Sequence, residues 1–158
     1  MAALRRGRCD SESSDDSAPD FDATEWATRA IRGNVTHKVK TKDHEEADHK
    51  LELQTLCAAM NNLRVKDRDV VADVKHVAND VVNVRAVGWK ENVRTGQRVK
   101  AVYEGRVPHP GVRAVDKQLK GAQDIKETFD LLPGTKKVID EAERILMEQR
   151  RAARPVRA

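Results

Sequence analysis

Aromatic residues are nearly missing from this 158-residue chain: two Phe, two Trp and one Tyr, 3% of the total. Aromatic side chains each bury a large area and dominate most interiors, so a thick globular core is not expected. Leu, Ile, Val and Phe make up about a fifth of the chain against 35% charged residues, close to the balance of chains that do not fold alone. No apolar run reaches the roughly 18 to 20 residues of a membrane span, which excludes a membrane partner of that kind. Only two cysteines occur, Cys9 and Cys57, without a CxxC companion, so a disulfide framework is excluded and a reduced compartment fits. The Leu, Ala and Met neighbours of Cys57 are of the kind that deactivate a thiol, and it reads as a buried helix residue.

What is present is charge. Thirty Lys and Arg stand against 26 Asp and Glu, a net +4, and their distribution says more than the sum. Met1 to Arg8 is Arg-rich like a mitochondrial transit peptide, but the acidic, Ser-rich residues that follow are foreign to one. A cytoplasmic location is therefore expected over a mitochondrial one. Residues 9–20 (CDSESSDDSAPD) carry no hydrophobic period, so residues 1–20 are expected to form a disordered acidic tail. Ser13 and Ser17, each with an acid three residues on, are candidate phosphorylation sites.

Asp22 and Glu25 form a capping box and Phe21 and Trp26 a hydrophobic staple, predicting a short capped helix over 21–34 that ends at Gly33-Asn34. Residues 35–42 (VTHKVKTK) read as a basic linker. From Leu53 the apolar residues fall into heptads. Leu56, Leu63, Val70, Val77 and Val84 form one seam position, and Leu53, Met60, Val74 and Val81 the other, with Asp67 alone breaking the stripe. A helix over 43–87 would be roughly 65 Å long. Valine is a mediocre helix former, so such a helix needs a partner surface. Asn61-Asn62 and Asp67 mark its weakest point, leaving two shorter helices as the alternative.

Residues 88–111 show no steady helical period, and the turn signal Thr95-Gly96 predicts an irregular basic loop or a small hairpin. Val112 to Leu132 is amphipathic and stops at Pro133-Gly134; Thr135 then caps a helix carrying Val138, Ile139, Ala142, Ile145 and Leu146. These two helices fill 112–150, and 151–158 is a basic tail. The fold class expected is mainly α and elongated: one long heptad-bearing helix, shorter helices, a disordered N-terminal tail and little independent core.

Catalytic constellations are scarce. His44 and His49 miss the HExxH spacing by one residue and on a helix would diverge by about 140°; His44 with Asp48 is at best a weak metal pair. The glycines make neither GxGxxG nor a Walker loop. His76 and His109 have no sequence-visible partner. The chain reads as a non-enzyme without cofactor or small-molecule substrate. One constellation points to a ligand: nine cations against three acids between Arg85 and Lys120. Arg85, Lys90, Arg94, Arg98, Lys100 and Arg106 are the candidate basic surface, interleaved with Trp89 and Tyr103, since cations meet phosphates while rings stack on bases.

Leu63-Arg64, Asp67 and the Val-rich stretch closing on Val84-Arg85 resemble the helical segment of small cilia- and flagella-associated proteins of axonemal doublet microtubules. The resemblance covers residues 63–85. It implies a microtubule-bound scaffold of the ciliary or flagellar cytoskeleton with tubulin as partner, and carries over no site residue. The leading expectation is thus a structural component that lays its Leu/Val seam on a protein or polymer. The alternatives are an RNA-binding accessory component of a ribonucleoprotein such as a ribosome, and a coiled-coil homodimeric adaptor.

Overall fold

The computed structural model describes residues 27–154. The acidic tail with Ser13 and Ser17, the capping box and staple at 21–26, and the last four residues lie outside them. A 3-10 turn at Ala27–Ala30 comes first, followed by β1 (Glu45–His49), α1 (Leu53–Asn62) and α2 (Arg68–Ala78). A second 3-10 turn (Val81–Asn83) leads into β2 (Val84–Gly88), α3 (Trp89–Tyr103), α4 (Val112–Thr128) and α5 (Pro133–Ala152). The chain is mainly helical, as its periodicity predicts.

The continuous helix over 43–87 does not form, and the physical reasons are local. Arg64 enters the left-handed region at φ 53°; the Val65 N–H returns to the Met60 carbonyl and the Arg64 N–H to that of Asn61, both at 3.1 Å. This is the Schellman pattern that closes a helix. Asp67, the residue that interrupts the apolar stripe, caps the next helix, its carboxylate accepting from the Asp69 N–H at 2.8 Å. Residues on either side leave the helical state altogether. β1 and β2 pair antiparallel, with Glu46 opposite Val87, Asp48 opposite Arg85 and His49 opposite Val84.

Folding back turns the seam inward. Leu56, Met60, Val74 and Val77 are fully or almost fully buried, and Leu53, Val70 and Val84 nearly so, while Leu63 and Val81 stay exposed. The buried ones other than Val84 share one cluster with Val115, Ala122 and Ile125 of α4 and Val138, Ile139, Ala142 and Leu146 of α5. The expected shortage of an independent core and the elongated shape are therefore corrected: α5 packs against α1, α2 and α4, and seven of the nine seam residues meet partners within this chain. Each such aliphatic side chain contributes about 1.5 to 3 kcal/mol on burial, so Val, Leu and Ile replace the aromatics. A two-chain coiled coil would need the same residues outside.

The expected loop or hairpin at 88–111 is also corrected, because residues 89–103 are helical. α3 carried no readable period since only Val99 and Ala101 of its 15 residues are buried. Gly96 sits within it with open space around its α-carbon. Pro133-Gly134 ends nothing; Pro133 opens α5, a position where its missing N–H costs no bond. Thr135 is inside the helix and fully buried, so it is not the cap.

Two asparagines hold the junctions. Asn83 is fully buried; its Oδ1 accepts from the Leu51 N–H at 2.8 Å, and its Nδ2 donates to the carbonyls of Leu51 and Ala78. Asn79 donates to the carbonyls of Ile31 and Lys75 and accepts from the Gly33 N–H and from His49 Nε2. α4 presses on this junction at Gly121, where a Cβ would lie 2.6 Å from the Leu51 nitrogen and 2.8 Å from Asn83 Oδ1. Gly121→Ala is therefore expected to destabilise the chain by about 1 to 3 kcal/mol in urea unfolding, whereas Gly96→Ala, which meets nothing, should not lower stability.

Candidate nucleic-acid interface

α3 is fastened at its C-terminal end. The Tyr103 hydroxyl donates to Thr55 Oγ1 at 2.7 Å, Thr55 donates to Gln118 Oε1 at 2.6 Å, and Gln149 Nε2 donates to the Tyr103 oxygen. Burial pushes the Tyr103 phenol above its ordinary range, so it stays a neutral donor. Tyr103 is thus an internal tie and is absent from the basic surface the sequence suggested. On this helix Lys90, Arg94 and Arg98 are exposed at four-residue intervals, about 6 Å apart along the axis. Glu91 is the single acid within the helix. Trp89 and Val93 form an adjacent apolar strip, 44% and 48% exposed, and the Lys90 ammonium lies 5.9 Å from the Trp89 ring centre.

The remaining predicted cations separate from this row. Arg85 lies on β2, half-buried, opposite Asp48. Lys100 is half-buried where Arg32, Gln54, Val93 and Gln97 line a shallow cleft of about 380 Å³. Arg106 follows the helix and pairs with Glu104 at 2.7 Å. Three of the six named cations therefore share one face. The seam residues, named as a partner surface, supply the core, with only Leu63 and Val81 at the exterior.

A second concavity, about 600 Å³, opens between residues 32–36, β1, the head of α1 and the Asn92 to Gly96 side of α3. Its floor is ionic. Lys117 of α4 reaches Asp48 Oδ2 and Glu52 Oε1, both at 3.0 Å, with all three side chains almost wholly enclosed. Burial lifts the Glu52 carboxyl above its ordinary range despite the opposing pull of Lys117, and Asp48 adds to the lift. Burial alone would lower the Lys117 ammonium, but the two carboxylates outweigh it and hold it above its ordinary range. Burial thus sets the direction at Glu52, and the two carboxylates set it at Lys117.

His49, at the same floor, contacts Asn79 Oδ1 at 2.8 Å. Asn79 gives both amide hydrogens to backbone carbonyls, so its oxygen faces the ring and Nε2 must be the protonated nitrogen. Burial keeps this imidazole below its ordinary range, against the smaller effect of the Asn79 bond. Glu46 accepts from Asn92. These groups are held by partners inside the protein, which braces the junction of β1 with α1, α3 and α4. His44 and His49 sit just before and at the end of an extended strand, not on a helix, and Asp48 is taken by Lys117. Among the described residues no three His, Cys, Asp or Glu side chains converge. Cys57 is buried, as its neighbours suggested.

The sequence reading missed this cluster because its members are 69 and 65 residues apart. It also left His76 and His109 without partners. His76 meets the Phe129 ring edge-on at 5.8 Å, and His109 Nδ1 accepts from the Gly111 N–H at 3.1 Å.

No family model matches the chain, and no curated protein and no solved structure shows a significant match to it.

Two outcomes test the floor. Lys117→Met strands two enclosed carboxylates and should cost about 3 to 5 kcal/mol at neutral pH, with the deficit narrowing in acid as Glu52, already lifted by burial, protonates; urea unfolding at neutral and acid pH measures it. For His49 the folded-state value is depressed, so its contribution is full above the unfolded value of about 6.5 and is lost as pH falls from there through the folded value. His49→Gln should therefore flatten the stability profile below pH 6.5, by at most about 1.4 kcal/mol per pH unit.

Proposed function

We propose that this chain is a non-enzymatic binding module, an accessory component of a ribonucleoprotein, which holds RNA on the outer face of α3. The observation that carries this reading is the exposed row Lys90, Arg94 and Arg98 on a helix that gives the interior only Val99 and Ala101. A helix with so small a buried face gains little from packing, and three cations on one side repel one another until an anion neutralises them. Phosphates suit such a row, since each one neutralised releases condensed counterions. The loop before β1 adds Lys38, Lys40 and Lys42 without an acid among residues 35–42.

The microtubule-directed reading drew on the resemblance of residues 63–85 and on an open seam; with seven of the nine seam residues buried, it would need another surface, and the α3 row is the candidate. An acidic protein surface remains the rival occupant of the α3 row. Fluorescence anisotropy with a labelled RNA oligomer decides. Wild type should bind at low salt with affinity falling steeply as salt rises, and Lys90→Gln/Arg94→Gln/Arg98→Gln should weaken binding. The triple change should also lower the slope of log affinity against log salt by about 2, at roughly 0.7 per phosphate contact on a single strand. Absence of RNA binding at low salt, with co-sedimentation on microtubules that the triple variant abolishes, would overturn this reading in favour of the cytoskeletal one.

A further inference from the structure

We infer that Trp89 is a stacking platform for an unpaired base, so that the nucleic acid held by α3 is single-stranded where it crosses the start of the helix; the inference rests on the RNA reading above. Trp89 is the first residue of α3 and follows β2 without a linker. Its N–H donates to the His44 carbonyl at 2.8 Å, which ties the corner where the ribbon becomes a helix. The indole is 44% exposed beside a groove of about 540 Å³ lined by His44, Gly88, Trp89 and Lys90.

Three features suit a flat ring. Gly88 has nothing within 4 Å of where a Cβ would stand, so the side of the groove next to the indole is open. His44 holds a left-handed backbone at φ 66°, an uncommon state for a residue with a side chain, and its imidazole forms another wall. The Lys90 ammonium lies over the indole ring, 5.9 Å from its centre, a cation-π contact that a base stacking on that face replaces, leaving the flexible ammonium to meet the phosphate of the same nucleotide. Beyond it, Arg94 continues the charge one turn on, parallel to the Trp89–Val93 strip. A chain with five aromatic residues has little reason to leave its largest ring half outside unless the exposed face meets something. Duplex ends aside, only unpaired bases offer a free π-face, whereas cations serve duplex and single strand alike.

An apolar strip with flanking cations also suits a protein contact; the near absence of acids in α3 favours phosphate. Trp26→Phe leaves Trp89 as the sole tryptophan, and the emission of that otherwise full-length protein is followed as two probes are added. One is an oligoadenylate of about a dozen nucleotides, within the site sizes of such surfaces, and the other a long duplex of polyadenylate with polyuridylate, in which end pairs are a negligible share. The single strand should quench Trp89 and the duplex should not. Trp89→Ala should weaken single-strand binding about tenfold and leave duplex binding unchanged, while Trp89→Phe should keep most of the affinity. Because Trp89 is 44% exposed and outside the core cluster, circular dichroism of both variants should match wild type. Equal binding of the single strand by Trp89→Ala and wild type, or equal losses on both probes, would overturn the stacking role while the phosphate row stands. Binding of neither probe by the unsubstituted protein at low salt would overturn both and assign the face to a protein.

Discussion

Buried backbone groups must find partners, and in this chain two asparagine side chains meet that demand where neither helix nor sheet does. Asn83 behaves as a short extra strand, giving one acceptor and two donations to the backbone at Leu51 and Ala78. Asn79 does the same for the entry segment at Ile31 and Gly33 and for the end of α2 at Lys75. Without these bonds the turn after α2 could not be enclosed, β2 could not return beside β1, and Leu51 could not be buried. Gly121 is the corollary: α4 covers this junction only because no side chain stands in the way.

The ionic floor follows from the same closure. A two-stranded ribbon is marginal in water, and β1, with the sequence EEADH, contributes little β propensity. Lys117 draws Asp48 and Glu52 onto α4, tying the ribbon and the head of α1 to the helical layer. The cost of burying three charges is offset by two 3.0 Å contacts that place the ammonium between both acids. With the ribbon fixed, its continuation into α3 lies against the two strands and α1, and the buried Val99 and Ala101 together with the Tyr103, Thr55, Gln118 and Gln149 chain fasten the far end. Exposure of the cationic row is thus a product of how the rest of the fold is braced.

Legibility in the sequence followed the amount of apolar surface each element buries. α4 and α5 were readable because Val115, Ala122 and Ile125, and then Val138, Ile139, Ala142 and Leu146, repeat on one face. The apolar positions of α1 and α2 were readable too, but their heptad register suggested one helix. Leu63 and Val81 fit that register and yet stand outside. Periodicity records which residues are apolar, not whether the backbone between them stays helical, and a left-handed Arg64 carries no mark in composition. α3 buries too few residues to leave a period, and its Thr95-Gly96 pair imitates a turn. The cations of the candidate interface were visible as a charge excess, while their sorting into an exposed row and internal partners was not.

Sequence alone therefore determined the helical content, the identity of most core residues, the scarcity of aromatics and the basic midsection, because each depends on composition or on neighbours a few positions away. Tertiary structure decided that the seam closes on its own chain, that β1 and β2 exist, that Asp48, Glu52 and Lys117 meet, and that Trp89 and the Lys90, Arg94 and Arg98 row face outward. Those outcomes depend on pairings across tens of residues, from Asn83 with Leu51 to Lys117 with Asp48, where enclosing a polar group is favourable only once its distant partner has arrived.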